Sequence, residues 1–242
     1  MTEEQILEAI GKVEVREGIQ RTIKSYALRS NVMDDGQRRI VLDNYEKYCT
    51  TFREGLIDPR TLFKDPSKPV IVEIGFGMGT STQVIARERD EFNYLCLEVY
   101  LVGFVKLLRD VSKLDLDNIR LMRFNAVDVL ERMIADSGVQ GFHIFFPDPW
   151  PKKKHHKRRL IQPDFVALLA RKLVKGGYIY MVTDWKEYAD WSMEIMSAET
   201  LLVNPYGKGV FAPPVQWRPT TKFEQKGLDK DYEISELWFE RS

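Results

Sequence analysis

Between Phe142 and Arg159 the sequence sets an apolar strand pattern, a proline-flanked acid and a dense cationic run end to end. Proline fixes its own φ and biases the residue before it toward extended backbone. Pro147, Pro149 and Pro151 therefore hold Asp148 and Trp150 in a stiff, non-helical path where the strand stops. A stiff acid beside a flat ring suits a planar polar ligand, a nucleobase among them. Lys152, Lys153, Lys154, Lys157, Arg158 and Arg159, interrupted by His155 and His156, place six Lys or Arg in eight positions. A polyanion bound there would release condensed counterions. Each part also has a plainer reading: a basic run can be a solvated surface or a targeting tract, prolines at a strand exit form turns, and Trp150 can simply pack. Alone, the segment marks a site without naming a reaction.

Other chemistry-bearing residues stand where strands end. The first apolar run leaves through Glu73-Ile74-Gly75-Phe76-Gly77-Met78-Gly79. Alternating glycines allow a tight turn and close approach of a ligand. Thr80 stands where a dinucleotide loop wants Gly or Ala, and the Gly-Lys-Ser/Thr of a phosphate-binding loop is absent, so neither phosphate motif is complete. Glu73 suits a positively charged ligand better than a pyrophosphate. Glu98 follows Gly79 by nineteen residues, the spacing at which α/β nucleoside sites place an acid on the ribose hydroxyls. Asn125 can pair with an adenine edge or cap the helix that follows; Asp184, in Thr183-Asp184-Trp185, has the same cap alternative. Capping alone does not readily account for an acid or amide at each of several consecutive strand ends.

These positions need an alternating fold behind them. Val70 to Ile74, Tyr94 to Glu98, Ile119 to Phe124, His143 to Phe146 and Tyr178 to Val182 read as strands. Helices fall between them: from the glycines to about Arg89, Leu101 to Leu114, Ala126 to Ala135, and Pro163 to Lys175, the last stopped by Gly176-Gly177; another runs from Asp184 to about Ala198. This alternation predicts a mostly parallel sheet with helices on both faces. The tail differs: Tyr232 to Phe239 alternates as late antiparallel strands do. Residues 1–66 are polar and helix-prone, an extension before the core.

With 242 residues one α/β domain with extensions is the natural size, and formal charge zero means that any polyanion is held by local clusters. Cys49 and Cys96 have no metal or redox spacing, and three scattered His offer no metal-ligand cluster. Without a signal-peptide pattern or a bilayer-length apolar run, a cytoplasmic protein is expected.

Taken together, the Phe-Pro-Asp-Pro-Trp block at 146–150 and Arg218-Pro219-Thr220-Thr221-Lys222-Phe223-Glu224 are highly specific. With them go Arg21-Thr22-Ile23-Lys24-Ser25-Tyr26, the Glu73 to Gly79 loop, Glu98-Val99, Asn125-Ala126 and Thr183-Asp184-Trp185. Across most of its length the sequence resembles the bacterial tRNA (guanine-N7)-methyltransferases, which use S-adenosylmethionine to methylate guanine 46 in the tRNA variable loop. The resemblance implies a Rossmann-like methyltransferase fold with a seven-stranded sheet over residues 67–242, and an N-terminal arm over 1–66. It implies cofactor contacts by Glu73, Gly75, Gly77, Gly79, Glu98, Asn125 and Asp148, with Asp148 also the active-site acid. Lys152, Asp184 and Thr221, Lys222, Phe223 and Glu224 fall at substrate-contacting positions, and Lys154, His155, His156, Lys157, Arg158 and Arg159 in the RNA-contacting stretch. Many relatives carry Asp at 125, His at 100 and Arg at 154, where this chain has Asn125, Tyr100 and Lys154. The partner implied is tRNA, with no membrane and no obligate protein partner, as a monomer or homodimer.

The implied chemistry is consistent. Guanine N7 attacks through a lone pair and needs no deprotonation, so holding it in line with the sulfonium methyl is the main task, without a metal. Carboxylates such as Asp148, Asp184 or Glu224 can accept from the guanine Watson-Crick edge and offset the charge that develops on the ring. Two other classes stay open on the residues alone. An amino-group methyltransferase would use a motif close to Asp148-Pro149-Trp150, and a noncatalytic RNA-binding protein could retain an old cofactor fold.

Overall fold

Thr2 with Gln5 and Asp34 with Gln37 each form a reciprocal capping box, the side chain of one residue meeting the backbone N–H of the other. Two of the four N-terminal amides that a helix leaves unpaired are satisfied in this way, and the boxes start α1 (Glu3–Gly11) and α2 (Asp35–Tyr48). The computed structural model describes residues 1–14, 24–26, 32–220, 224–225 and 233–242. β1 (Val70–Ile74) is buried at all five positions, as a strand covered on both faces must be. Then follow α3 (Thr80–Glu88), β2 (Asn93–Leu97), α4 (Leu101–Leu114), β3 (Ile119–Met122) and α5 (Ala126–Arg132). After these come β4 (Val139–Phe145), α6 (Pro163–Lys172), β5 (Leu173–Thr183), α7 (Lys186–Ala198), β6 (Leu202–Val203) and β7 (Ser235–Arg241).

The seven strands pair as β3-β2-β1, all parallel, and as β4-β5-β7-β6, with β5 parallel to β4 and β7 antiparallel to β5 and β6. The expected mostly parallel sheet with a late antiparallel strand is therefore present. The chain forms two compact units, one ending at Ala135 and one beginning at Asp136; residues 24–26 belong to the second. In the first, parallel registers pair Ile74 with Leu97 and Leu97 with Met122, so Glu73, Glu98 and Asn125 all lie at the same end of three neighbouring strands. Cys49 bridges to Leu121, and the N–H of Thr50 donates to the Leu121 carbonyl at 3.0 Å, which ties the chain after α2 to β3.

In the second unit one expected boundary moves. Gly176-Gly177 does not stop α6, which ends at Lys172; the pair lies inside β5. Val139 faces Leu173 while Gly141 faces Tyr178, so β5 carries extra residues against β4 in a bulge. Gly176 takes a φ of +73° there, and a Cβ on Gly177 would come within 2.8 Å of the Gln140 carbonyl oxygen. A turn-forming pair can serve a helix end or a bulge; strand pairing decided which. β6 carries no alternation of its own and exists through its pairing with β7. Among the described residues, no helix is long and apolar enough to cross a membrane.

Candidate active site

In the first unit the site begins with a buried acid. Glu73 is 3% exposed in β1 and accepts the Thr82 hydroxyl at 2.9 Å. Burial pushes its carboxyl up to about 8; the Thr82 hydrogen bond opposes the shift and the nearby Glu98 charge adds to it. Beyond β1 the chain enters left-handed backbone at Gly75, Gly77 and Gly79, with φ of +78°, +55° and +67°. A Cβ on Gly77 would meet nothing within 4 Å, so the backbone conformation, with open space beside it, is what selects glycine there. Gly103 is the opposite case. A Cβ on it would lie 1.9 Å from the Gly77 carbonyl oxygen, so α4 can approach the loop this closely only without a side chain at that point.

Glu98 locks the turn between β2 and α4. Oε2 accepts the Gly77 N–H at 2.7 Å, and Oε1 accepts the N–H groups of Val99 at 2.6 Å and Tyr100 at 2.9 Å. Burial raises its pKa, while those three amides and the Arg123 guanidinium favour the charged form. A carboxylate has about four acceptor positions, so one remains for a ligand hydroxyl. Arg123, 3% exposed, donates from Nε to the Val99 carbonyl at 3.0 Å and from Nη1 to the Ile10 carbonyl. Asn125 caps α5 by accepting the Val127 N–H at 2.9 Å, so its cap role is realised; its own N–H donates to the Val13 carbonyl at 2.7 Å. The amide nitrogen of its side chain stays available to an adenine edge.

In the second unit Asp148 is exposed and sits between two non-glycine residues in left-handed backbone, Phe146 at φ +51° and Trp150 at φ +43°. Each such residue costs about 1–3 kcal/mol and persists only where its surroundings hold it. The Phe146 N–H donates to the Val182 carbonyl at 2.8 Å, Trp150 Nε1 donates to the Ser25 carbonyl at 3.0 Å, and the Arg158 guanidinium lies 4.5 Å from the Trp150 ring centre. Trp150 is thus already engaged on one face. The basic run after it winds into a 3-10 helix, Lys153–Arg158, and divides by direction. Lys152, Lys153, Lys154 and Lys157 are exposed, whereas Arg159 is 1% exposed. His155 is kept below its usual pKa, chiefly by burial and then by the charges of Lys154, Arg158, Lys152 and Lys157. Half-buried Asp184 directly follows β5.

Residues 67–237 match the family model described as "Putative methyltransferase". The tRNA (guanine-N(7)-)-methyltransferase of Methylobacillus flagellatus is 40% identical over 97% of this chain and 96% of its own length. That of an Acidovorax species is 44% identical over 90% and 86%. The chain belongs to the tRNA (guanine-N7)-methyltransferase family. The 16S rRNA methyltransferase KamB, 13% identical with a TM-score of 0.53 over 91% of this chain and 98% of its own, shares the fold.

Two expected contact residues of this tRNA (guanine-N7)-methyltransferase family member are turned inward. Arg159, expected to face RNA, donates from Nε to the Pro149 carbonyl at 2.9 Å and from Nη2 to Glu187 at 3.1 Å, with no exposed surface left for a phosphate. Glu224, expected at the substrate, is 7% exposed and accepts both Nη groups of Arg218, at 2.6 and 2.9 Å. Arg218 also donates to Glu236 at 2.9 Å and to the Tyr180 hydroxyl at 2.9 Å. Burying these charges is tolerable because each meets an opposite one. Thr221, Lys222 and Phe223 lie outside the described residues. Sequence reasoning missed Gly103 and Arg123, and named Arg218 as part of a motif without giving it a role. Gly103 had a usable signal, a lone glycine within a helical pattern; the burial of the two arginines had none, because it depends on how the packed chain surrounds them.

Proposed function

We propose that this protein transfers a methyl group from S-adenosylmethionine to N7 of guanine 46 in the tRNA variable loop, by oriented in-line transfer without a metal, releasing S-adenosylhomocysteine. The carrying observation is the Glu73–Gly79 loop held open by Glu98, in a chain of this family. Gly75 and Gly77 leave space that a Cβ would enter, Glu73 offers a buried acid to a cationic ligand, Glu98 keeps an acceptor position for ribose, and Asn125 keeps its amide donor. That donor set fits the cofactor, which supplies an electrophilic methyl on a sulfonium. The chain's own part is orientation. Asp148 accepts from the guanine edge and offsets the positive charge gained by the ring, Asp184 assists, and the exposed lysines from Lys152 to Lys157 hold the phosphate backbone. Residues 1–66 serve as an arm to the methyltransferase domain at 67–242. The protein acts in the cytoplasm on tRNA as a monomer or homodimer.

The test is nucleoside analysis of tRNA after incubation with the protein and labelled S-adenosylmethionine, beside the same tRNA carrying adenine in place of the variable-loop guanine. Label in 7-methylguanosine from the first tRNA alone is expected; equal labelling of both, or label on an exocyclic amine, rejects the reading. Asp148→Asn should cut single-turnover methylation by about two orders of magnitude, as loss of one preorganised electrostatic partner does.

A further inference from the structure

Arg159 is among the largest fully buried side chains of the described residues, although five other Lys and Arg share its eight-residue run. A buried guanidinium is costly unless its surroundings replace water. Here Nε meets the Pro149 carbonyl at 2.9 Å, Nη2 meets Glu187 at 3.1 Å, and the rings of Tyr188 and Trp191 each lie 5.1 Å from the guanidinium. The Arg159 hydrogen bond in turn holds the Glu187 carboxyl below its usual range.

The carbonyl that Arg159 grips belongs to the residue after Asp148. Phe146 is pinned through its N–H to Val182, and Trp150 through its indole to Ser25, so both left-handed ends of the loop are held. Arg159 supplies a further restraint, on the Pro149 carbonyl between Asp148 and Trp150, and anchors it to the first turn of α7 through Glu187. We infer that Arg159 is the positioning residue for Asp148 and makes no contact with tRNA; the inference rests on the reading of Asp148 as the active-site acid. Lysine cannot replace it, because a compact ammonium lacks the planar fork that reaches Pro149 and Glu187 together.

Arg159→Lys, which keeps the charge, and Arg159→Gln, which removes it, together separate positioning from RNA contact. At saturating tRNA and cofactor the single-turnover rate of Arg159→Lys should fall tenfold or more while tRNA affinity stays within twofold, and in Arg159→Gln the slope of the salt dependence should be unchanged. A slope lowered by about 0.7 to 0.9 in Arg159→Gln would make Arg159 a phosphate contact. A rate within twofold of the parent protein would end its positioning role. Hydrogen exchange at the amides of Phe146, Asp148 and Trp150 gives a readout independent of activity and should be faster in the variant; unchanged exchange counts against the inference even if the parent protein methylates nothing. Should Arg159→Lys not fold, Glu187→Ala keeps the guanidinium and removes its anchor, and must show the same split of rate from affinity in weaker form. A parent-like rate in Glu187→Ala would overturn the proposal.

Discussion

Oε2 of Glu98 lies 2.7 Å from the backbone nitrogen of Gly77, so the acid at the end of β2 holds the glycine loop that leaves β1. The carboxylate has two tasks, loop geometry and ligand contact, and a substitution separates them poorly. Glu98→Gln would turn an amide donor toward one of the three backbone N–H groups, leaving a buried polar group unsatisfied at about 1–3 kcal/mol. Both cofactor affinity and thermal stability should fall. Calorimetric titration with S-adenosylmethionine and a melting curve measure the two effects, and unchanged affinity in a folded variant removes Glu98 from the cofactor site.

Gly103→Ala tests the approach of α4 to the same loop. The added methyl would sit 1.9 Å from the Gly77 oxygen, so backbone must move. A loss of about 1–3 kcal/mol in urea unfolding is expected, together with weaker cofactor binding. Wild-type stability would mean that α4 can retreat without consequence.

Glu73 gives a pH dependence with a definite sign. Its carboxyl is raised from 4.5 to about 8, so the folded state binds more protons than the unfolded state across that interval. Stability therefore falls as pH rises through the interval and levels off above about 8. Glu98, also raised by burial, acts in the same direction. Urea unfolding across this range should show Glu73→Gln losing less stability with pH than the parent; parallel curves would reject the shift. A cationic cofactor should also expel the Glu73 proton, visible as buffer-dependent binding heat near neutral pH.

The exposed lysines should carry the salt dependence of tRNA binding. Replacing Lys152, Lys153, Lys154 and Lys157 by Ala should lower the slope of log affinity against log salt by about 0.7 to 0.9 for each phosphate no longer neutralised, with cofactor affinity unmoved. A parent-like slope in the fourfold variant would place the RNA elsewhere.

Arg218 holds two buried glutamates, Glu224 and Glu236, with the Tyr180 hydroxyl between them. Arg218→Met takes the guanidinium away from two buried acids and should cost about 3–5 kcal/mol. Glu224→Gln leaves the Arg218–Glu236 pair intact and should cost less. Chemical denaturation ranks the two; equal losses would show that the network is not centred on Arg218.

Most of this protein's architecture was legible in its sequence. Continuous apolar runs such as Val70 to Ile74, and the helical period of Leu101 to Leu114, follow from local geometry that each segment carries within itself. The acids and amides at strand ends were legible for the same reason, since a strand's end fixes where its next residue emerges. Direction and partnership were not. Arg158 and Arg159 are neighbours of one type, yet one covers Trp150 and the other is sealed against Glu187, Tyr188 and Trp191. Glu224 reads as a substrate acid until both Nη groups of Arg218 meet its oxygens. Gly176-Gly177 reads as a helix stop until β4 pairs across it and makes a bulge. In each case the outcome depends on whether water or a distant residue supplies the opposing charge or hydrogen bond, and only the packed chain brings that residue within reach.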